Sequence, residues 1–316
     1  MRHGAAAAFA LALTGVLAAC ATAPVEEIRQ FKSSLDNLDG AATPLLDDLA
    51  VAERQNWQRI RALEARAGDA GGAAGECTAQ GISGPDGLVL VSSFCGDDAR
   101  YISALDDPPA TARLRRGIGT VNAFSTALVA LVDGSHAEAG ADEVIRLGSE
   151  ITGLLGAAGA GPAGAGANMV LGGNVLAPLR PIVDRLAVIA DHAQAKELIL
   201  ENEAAVGGLI DGLEAAVPKV FNLLIANDVV KWARQGPGLP VAEAEADIAR
   251  VEGYRRLLAD YALLLDRSRR AWHAAVGAAR TETPVSIGSL AGLAGEIRKD
   301  AEAVRRSQAE FRTRPR

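Results

Sequence analysis

Residues 248–272 read IARVEGYRRLLADYALLLDRSRRAW. Ile248, Val251, Tyr254, Leu257, Leu258, Tyr261, Leu264, Leu265 and Trp272 recur every three or four residues, with arginine and aspartate between them. That period describes an amphipathic helix of about seven turns whose apolar stripe needs other helices to cover it. The aromatic members of the stripe are read as core. Downstream, Ile287, Leu290, Leu293, Ile297, Val304 and Phe311 repeat the pattern. Upstream, Gly236-Pro237-Gly238-Leu239-Pro240 marks a chain reversal.

Before the reversal, a long stripe runs from Pro181 through Ile182, Leu186, Ile189, Leu198, Ile199, Val206, Leu209, Leu213, Val217, Phe221, Leu224 and Ile225. Gly207-Gly208 and Pro218 are expected to bend or divide it, since proline removes a backbone donor and crowds the preceding turn. Asp106-Asp107-Pro108-Pro109 predicts a helix start, and Ile118, Val121, Phe124, Leu128, Leu131 and Val132 its buried face, ending near Asp133-Gly134. A further helix is expected from about Ala139, carrying Val144, Ile145, Ile151 and Leu154. Nearer the start, Ile28, Phe31, Leu35 and Leu38 form a helix read as stopping at Asp39-Gly40. Thr43 then caps a second helix, with Pro44 in its first turn and Trp57, Ile60 and Leu63 along it to Gly68.

Composition agrees with this reading. The chain has 316 residues, 49% hydrophobic but only 4% aromatic, so its apolar content is mainly small and aliphatic, which favours close-packed helices over a β-sandwich. The expectation is an all-α fold: an elongated antiparallel helical bundle over residues 28–316, with a small β-hairpin inserted at 76–96. A net charge of −7 repels phosphate backbones and argues against a nucleic-acid partner.

The hairpin follows from Gly84-Pro85-Asp86-Gly87, a turn signal, and the apolar run Leu88 to Val91. Cys77 and Cys95 flank it. With Ser83 opposite Leu88, Cys77 falls opposite Phe94, one position from Cys95, and a bulge or slip lets the two thiols form a disulfide worth about 3 kcal/mol in the chain-entropy description.

At the N-terminus, Arg2 precedes an uncharged apolar run from Ala5 to Val16 and then Leu17-Ala18-Ala19-Cys20. The charge and the short apolar run fit a secretory signal. The Leu-Ala-Ala-Cys ending resembles the lipobox of bacterial lipoproteins. That resemblance covers residues 1–20 and implies removal of residues 1–19, diacylglycerol on the Cys20 thiol and acylation of its new amino group. Residues 20–27 would form the lipidated tether. Because Ala21 is not aspartate, the resemblance further implies sorting to the outer membrane, facing the periplasm.

Residues 151–179 carry no charge, and 153–173 are dense in glycine and alanine around Pro162. Gly153, Gly156, Gly161, Pro162 and Gly166 are candidate contacts with membrane or partner, since small residues let backbones approach closely. A long bundle with an uncharged hairpin resembles α-helical pore-forming toxins in layout. Arg305, Arg306, Arg312, Arg314 and Arg316 form the largest basic cluster. They are read as favourable charge at a helix C-terminus or as contacts for anionic lipid, lipopolysaccharide or cell-wall polymer.

No catalytic motif stands out. His3, His136, His192 and His273 lack zinc-site spacing, and nucleophile-elbow and phosphate-loop patterns are missing from the sequence, which names no metal or cofactor. The adjacent pairs Asp47-Asp48, Asp97-Asp98 and Asp106-Asp107 are read as helix caps. The reading is a lipid-anchored envelope protein, non-enzymatic, that binds or scaffolds an envelope protein or cell-wall polymer. A membrane-active protein inserting residues 151–179 and an envelope hydrolase are the alternatives.

Overall fold

Ile28, Phe31, Leu35 and Leu38 are buried on one stripe, and Ala41, Ala42, Leu45, Leu46 and Leu49 continue it without interruption. One helix, α1 (Val25–Ala67), therefore carries the whole run, about 64 Å of rod at 1.5 Å per residue. The expected stop at Asp39-Gly40 does not occur, because burial on both sides of it holds the backbone helical. Pro44 lies inside the helix, and Thr43 is an interior residue whose hydroxyl donates to the Asp39 carbonyl at 3.0 Å.

The computed structural model describes residues 24–67, 80–85, 89–94, 96–133, 192–281 and 287–313. After α1 come strands β1 (Gly81–Ser83) and β2 (Val89–Val91), a 3-10 turn (Gly96–Asp98) and the short helix α2 (Ala99–Ile102). The long helices follow: α3 (Pro109–Asp133), α4 (His192–Glu201), α5 (Glu203–Leu224), α6 (Ala226–Gln235), α7 (Val241–Thr281) and α8 (Ile287–Thr313). The described chain is mostly helical with one small antiparallel sheet.

Neighbouring long helices alternate in direction. Arg29 meets Asp133 at 2.7 Å while Glu53 accepts the Ala110 N–H at 2.9 Å, so α1 and α3 are antiparallel. Arg267 to Asp300 (3.0 Å) and Ser307 to Asp260 (3.0 Å) fix α7 against α8 in the same sense. Trp272 is fully buried and joins four helices. Its ring lies 5.0 Å from Phe31 and 5.9 Å from Phe124, and its indole N–H donates to the Glu203 carbonyl at 3.2 Å.

The long stripe after Pro181 divides elsewhere than expected. Its breaks fall at Asn202 and Ile225, while Gly207-Gly208 and Pro218 stay inside α5. Val206, Leu209, Ile210 and Leu213 are buried around the glycines, so packing outweighs their low propensity. At Asn202 the side-chain amide donates to the Leu198 carbonyl (2.8 Å), competing with the backbone ladder where the helix breaks. The reversal at Gly236 is present, with φ +46°, a conformation that favours glycine. Ile248, read as part of a buried stripe, is exposed.

The hairpin pairs Gly81 with Val91, Ile82 with Leu90 and Ser83 with Val89. Ser83 thus faces Val89 rather than Leu88, a register one residue from the expected one. Residues 1–23, both Cys77 and Cys95, the helix expected from Ala139 and the Gly/Ala tract 153–173 lie outside the described residues.

Candidate functional site

At the end of the bundle where α1 finishes, several polar and aromatic side chains of the described residues come together. Arg54, Trp57 and Arg61 follow at helical spacing along α1, so one face meets the segment after the hairpin. Arg54 donates to the Asp106 carbonyl (2.7 Å), Trp57 stacks on Tyr101 with ring centroids 5.3 Å apart, and Arg61 binds Asp98 (2.8 Å). The Arg61 guanidinium also lies 5.7 Å from the centre of the Trp57 ring, within cation-π range. Burial works against the Arg61 charge, but the hydrogen bonds to Asp98 and Glu64 outweigh it and raise its pKa.

Glu53, one turn before Trp57, is buried and accepts from the N–H of Ala110, the N–H of Thr111 and the Thr111 hydroxyl, each at 2.9 Å. It caps α3 from another helix, where free N–H groups and the helix dipole favour a carboxylate. Burial pushes the Glu53 carboxyl up, and those three donors restrain the shift. Burial, aided by the Glu53 charge, pushes the Tyr101 hydroxyl up to about 12. Arg113 beside them is lowered by burial.

These contacts correct the reading of the aspartate pairs. Asp47 lies inside α1 and pairs with Arg115 (2.9 Å), Asp107 binds the same guanidinium (2.6 Å), and Asp98 holds Arg61. The cap on α3 comes from Glu53, which sequence reasoning missed. Its one signal is an acid on the face that Trp57 and Arg61 continue toward the end of α1.

A second charged group closes the turn between α6 and α7. Asp247, 2% exposed, receives Lys231 (2.8 Å), Arg250 (2.7 Å) and the Trp232 indole N–H (3.2 Å), while Arg250 also holds Asp228. Burial works against the Asp247 charge, but its hydrogen bonds to Lys231 and Arg250 prevail and hold the carboxyl below its usual range. The side of α6 that meets α7 is therefore largely polar. Asp228, Lys231 and the Trp232 indole N–H face the network, while Val229 is exposed and the Trp232 ring partly so.

The sequence-predicted site residues are only partly placed. Arg305 and Arg306 are exposed on α8, whose bounds also include Arg312. Arg314 and Arg316 lie outside the described residues, as do Cys20, Cys77, Cys95, Gly153, Gly156, Gly161, Pro162 and Gly166. Among the described residues, no group of three or more His, Cys, Asp or Glu is placed to hold a metal ion. Among those residues, too, no helix is long and apolar enough to cross a membrane. Comparison with protein-family models, curated protein sequences and solved structures finds no match to this chain.

Proposed function

We propose that this chain is a lipid-anchored lipoprotein of the cell envelope, held by Cys20 in the outer membrane and facing the periplasm, which binds or scaffolds an envelope protein or cell-wall polymer without catalysis. The observation that carries the reading is the sequence Leu17-Ala18-Ala19-Cys20 directly after an uncharged apolar run. The start of α1 at Val25 supports it, because only residues 21–24 separate the anchor from a rigid rod. Such a tether reaches at most about 14 Å, so lipid at Cys20 keeps the Val25 end of the bundle close to the bilayer. Two or three acyl chains, at about 0.8 kcal/mol per buried methylene, make that attachment stable.

Fractionating cells that express the native chain and Cys20→Ala tests this reading. The native chain is expected in the membrane fraction, and the variant is expected to keep residues 1–19. Identical processing and distribution of the two would contradict it.

The finer part of the proposal is a Cys77–Cys95 bridge closing the hairpin. The pairing of Gly81 with Val91, followed by the Ser92 N–H to Gln80 carbonyl bond (2.8 Å), supports it, since the two cysteines flank that hairpin in sequence. Alkylation with and without reductant checks it. Two thiols reacting before reduction would refute the bridge.

A second reading, membrane insertion of residues 151–179, draws on one relationship. The chain leaves the described bundle at Asp133, paired with Arg29, and re-enters at His192, shortly before Glu203, whose carbonyl receives Trp272 against Phe31. Both points lie at the Val25 end, where the lipid would be. Release of dye from vesicles by the native chain and not by a variant lacking 151–179 would support this reading. Equal release by both, or none, would refute it.

A further inference from the structure

We infer that the bundle carries a hinge at mid-length, formed by α1, α3 and α5 at one level and backed by the unbroken helices α7 and α8. Its parts are the sequence signals that fail to end a helix. Gly40 and Pro44 lie inside α1, and Gly207 and Gly208 inside α5. A β-carbon at Gly40, Gly207 or Gly208 would meet no other described group within 4 Å. Packing therefore does not call for glycine there, and each one weakens its helix relative to alanine.

The register of the helices brings these residues together. In the contacts Arg29–Asp133, Asp47–Arg115 and Glu53–Ala110, the two position numbers add to 162 or 163, so residues 40–44 of α1 lie beside about 118–122 of α3. A β-carbon at Gly117 would fall 3.5 Å from Leu213 and 3.9 Å from Leu209, whereas Trp272 links Phe124 to the Glu203 carbonyl. Helix α5 thus runs antiparallel to α3, and Gly207-Gly208 reach the level of Thr120. All of these positions fall within about two turns of helix along the bundle.

Local chemistry at that level favours bending. Pro44 has no N–H to give the Gly40 carbonyl, and the Thr43 hydroxyl donates to the Asp39 carbonyl at 3.0 Å, a back-bond that bends helices. The buried stripe of α1 thins to alanine at Ala41 and Ala42. Thr120 is buried in α3, and its hydroxyl has no partner among the described residues, an unmet contact in the straight bundle. On the other side, α7 has no glycine or proline between Gly253 and Gly277, and α8 has none from Glu296 to Thr313. Arg267–Asp300 and Ser307–Asp260 hold those two helices together as one leaf. Flexing of that leaf, with the dihedral change taken up at a few positions of α1, α3 and α5, alters the angle between the Val25 end and the α1-finishing end. The inference does not rest on the lipid anchor.

Hydrogen exchange of the full chain, read by mass spectrometry, tests it. Amides in 41–47, 118–122 and 207–211 are expected to exchange on the order of tenfold faster than amides two turns away in the same helices, with no such step along α7 and α8. Gly40→Ala with Pro44→Ala stiffens α1 alone, and Gly207→Ala with Gly208→Ala stiffens α5 alone. Each pair should slow exchange in all three stretches, because a hinge couples them. Even protection along α1, α3 and α5 would overturn the proposal. So would slowing confined to the substituted helix, which would mean separate weak spots. Both pairs should leave stability in urea equal or higher, and a loss would show that the glycines serve close contact instead.

Discussion

The Phe311 ring lies so close to Gly253 that a β-carbon at that position would fall inside contact distance of the ring. The same ring packs on Tyr254, with centroids 4.7 Å apart, so the last turns of α8 rest on one glycine and one tyrosine of α7. Gly253→Ala should lower stability by about 1–3 kcal/mol through overpacking, although alanine is the better helix former. Pairing it with Phe311→Ala should recover part of the loss in urea unfolding. A more stable single variant would show that the ring is not held there.

Glu53 accepts from two of the first N–H groups of α3, at Ala110 and Thr111, both buried. Glu53→Ala leaves them without that acceptor and should cost about 2–4 kcal/mol. Hydrogen exchange at residues 110–112 should accelerate more than at the Trp272 end of the bundle. Uniform acceleration along α3 would mean that the cap is not a local one.

Asp247 sets an acid limit on the α6–α7 corner. Its folded-state carboxyl is held below the ordinary value of 3.8, so the stabilisation is complete above that value and is lost as the pH falls through the folded-state value. Denaturant unfolding followed from about pH 6 to about pH 2 should show this limb. Asp247→Asn should flatten it while lowering stability at neutral pH, because Lys231 and Arg250 lose their shared partner. An unchanged acid limb in the variant would place the titration elsewhere.

Trp272 joins α1, α3, α5 and α7, and its replacement by alanine should cost about 3–5 kcal/mol. Trp272→Phe should cost less, keeping contact with Phe31 and Phe124 while losing the bond to the Glu203 carbonyl. Equal losses in the two variants would place the energy in the hydrogen bond rather than in the ring packing.

Helical period made much of the fold readable. Phe31, Phe124, Leu213, Leu264 and Trp272 are buried where their stripes put them, and the reversal falls at Gly236. Local breakers misled where tertiary burial was continuous, at Asp39-Gly40 and at Gly207-Gly208. At Asn202 the side chain shares the Leu198 carbonyl with the residue's own N–H, a contact that apolar spacing does not encode. Glu53 was illegible for a related reason, since its partners at Ala110 and Thr111 become neighbours only after α1 and α3 pair. The inward charges of α6 were equally hidden, because Asp228 and Lys231 find their partners on the far side of the Gly236 turn.

The envelope-lipoprotein account is tested most directly by mass spectrometry of the native protein's N-terminal peptide. The account predicts that the chain begins at Cys20, carrying diacylglycerol on its sulfur and acyl on its amino group. A chain that retains residues 1–19, or one that begins at Cys20 with a free thiol, would contradict it.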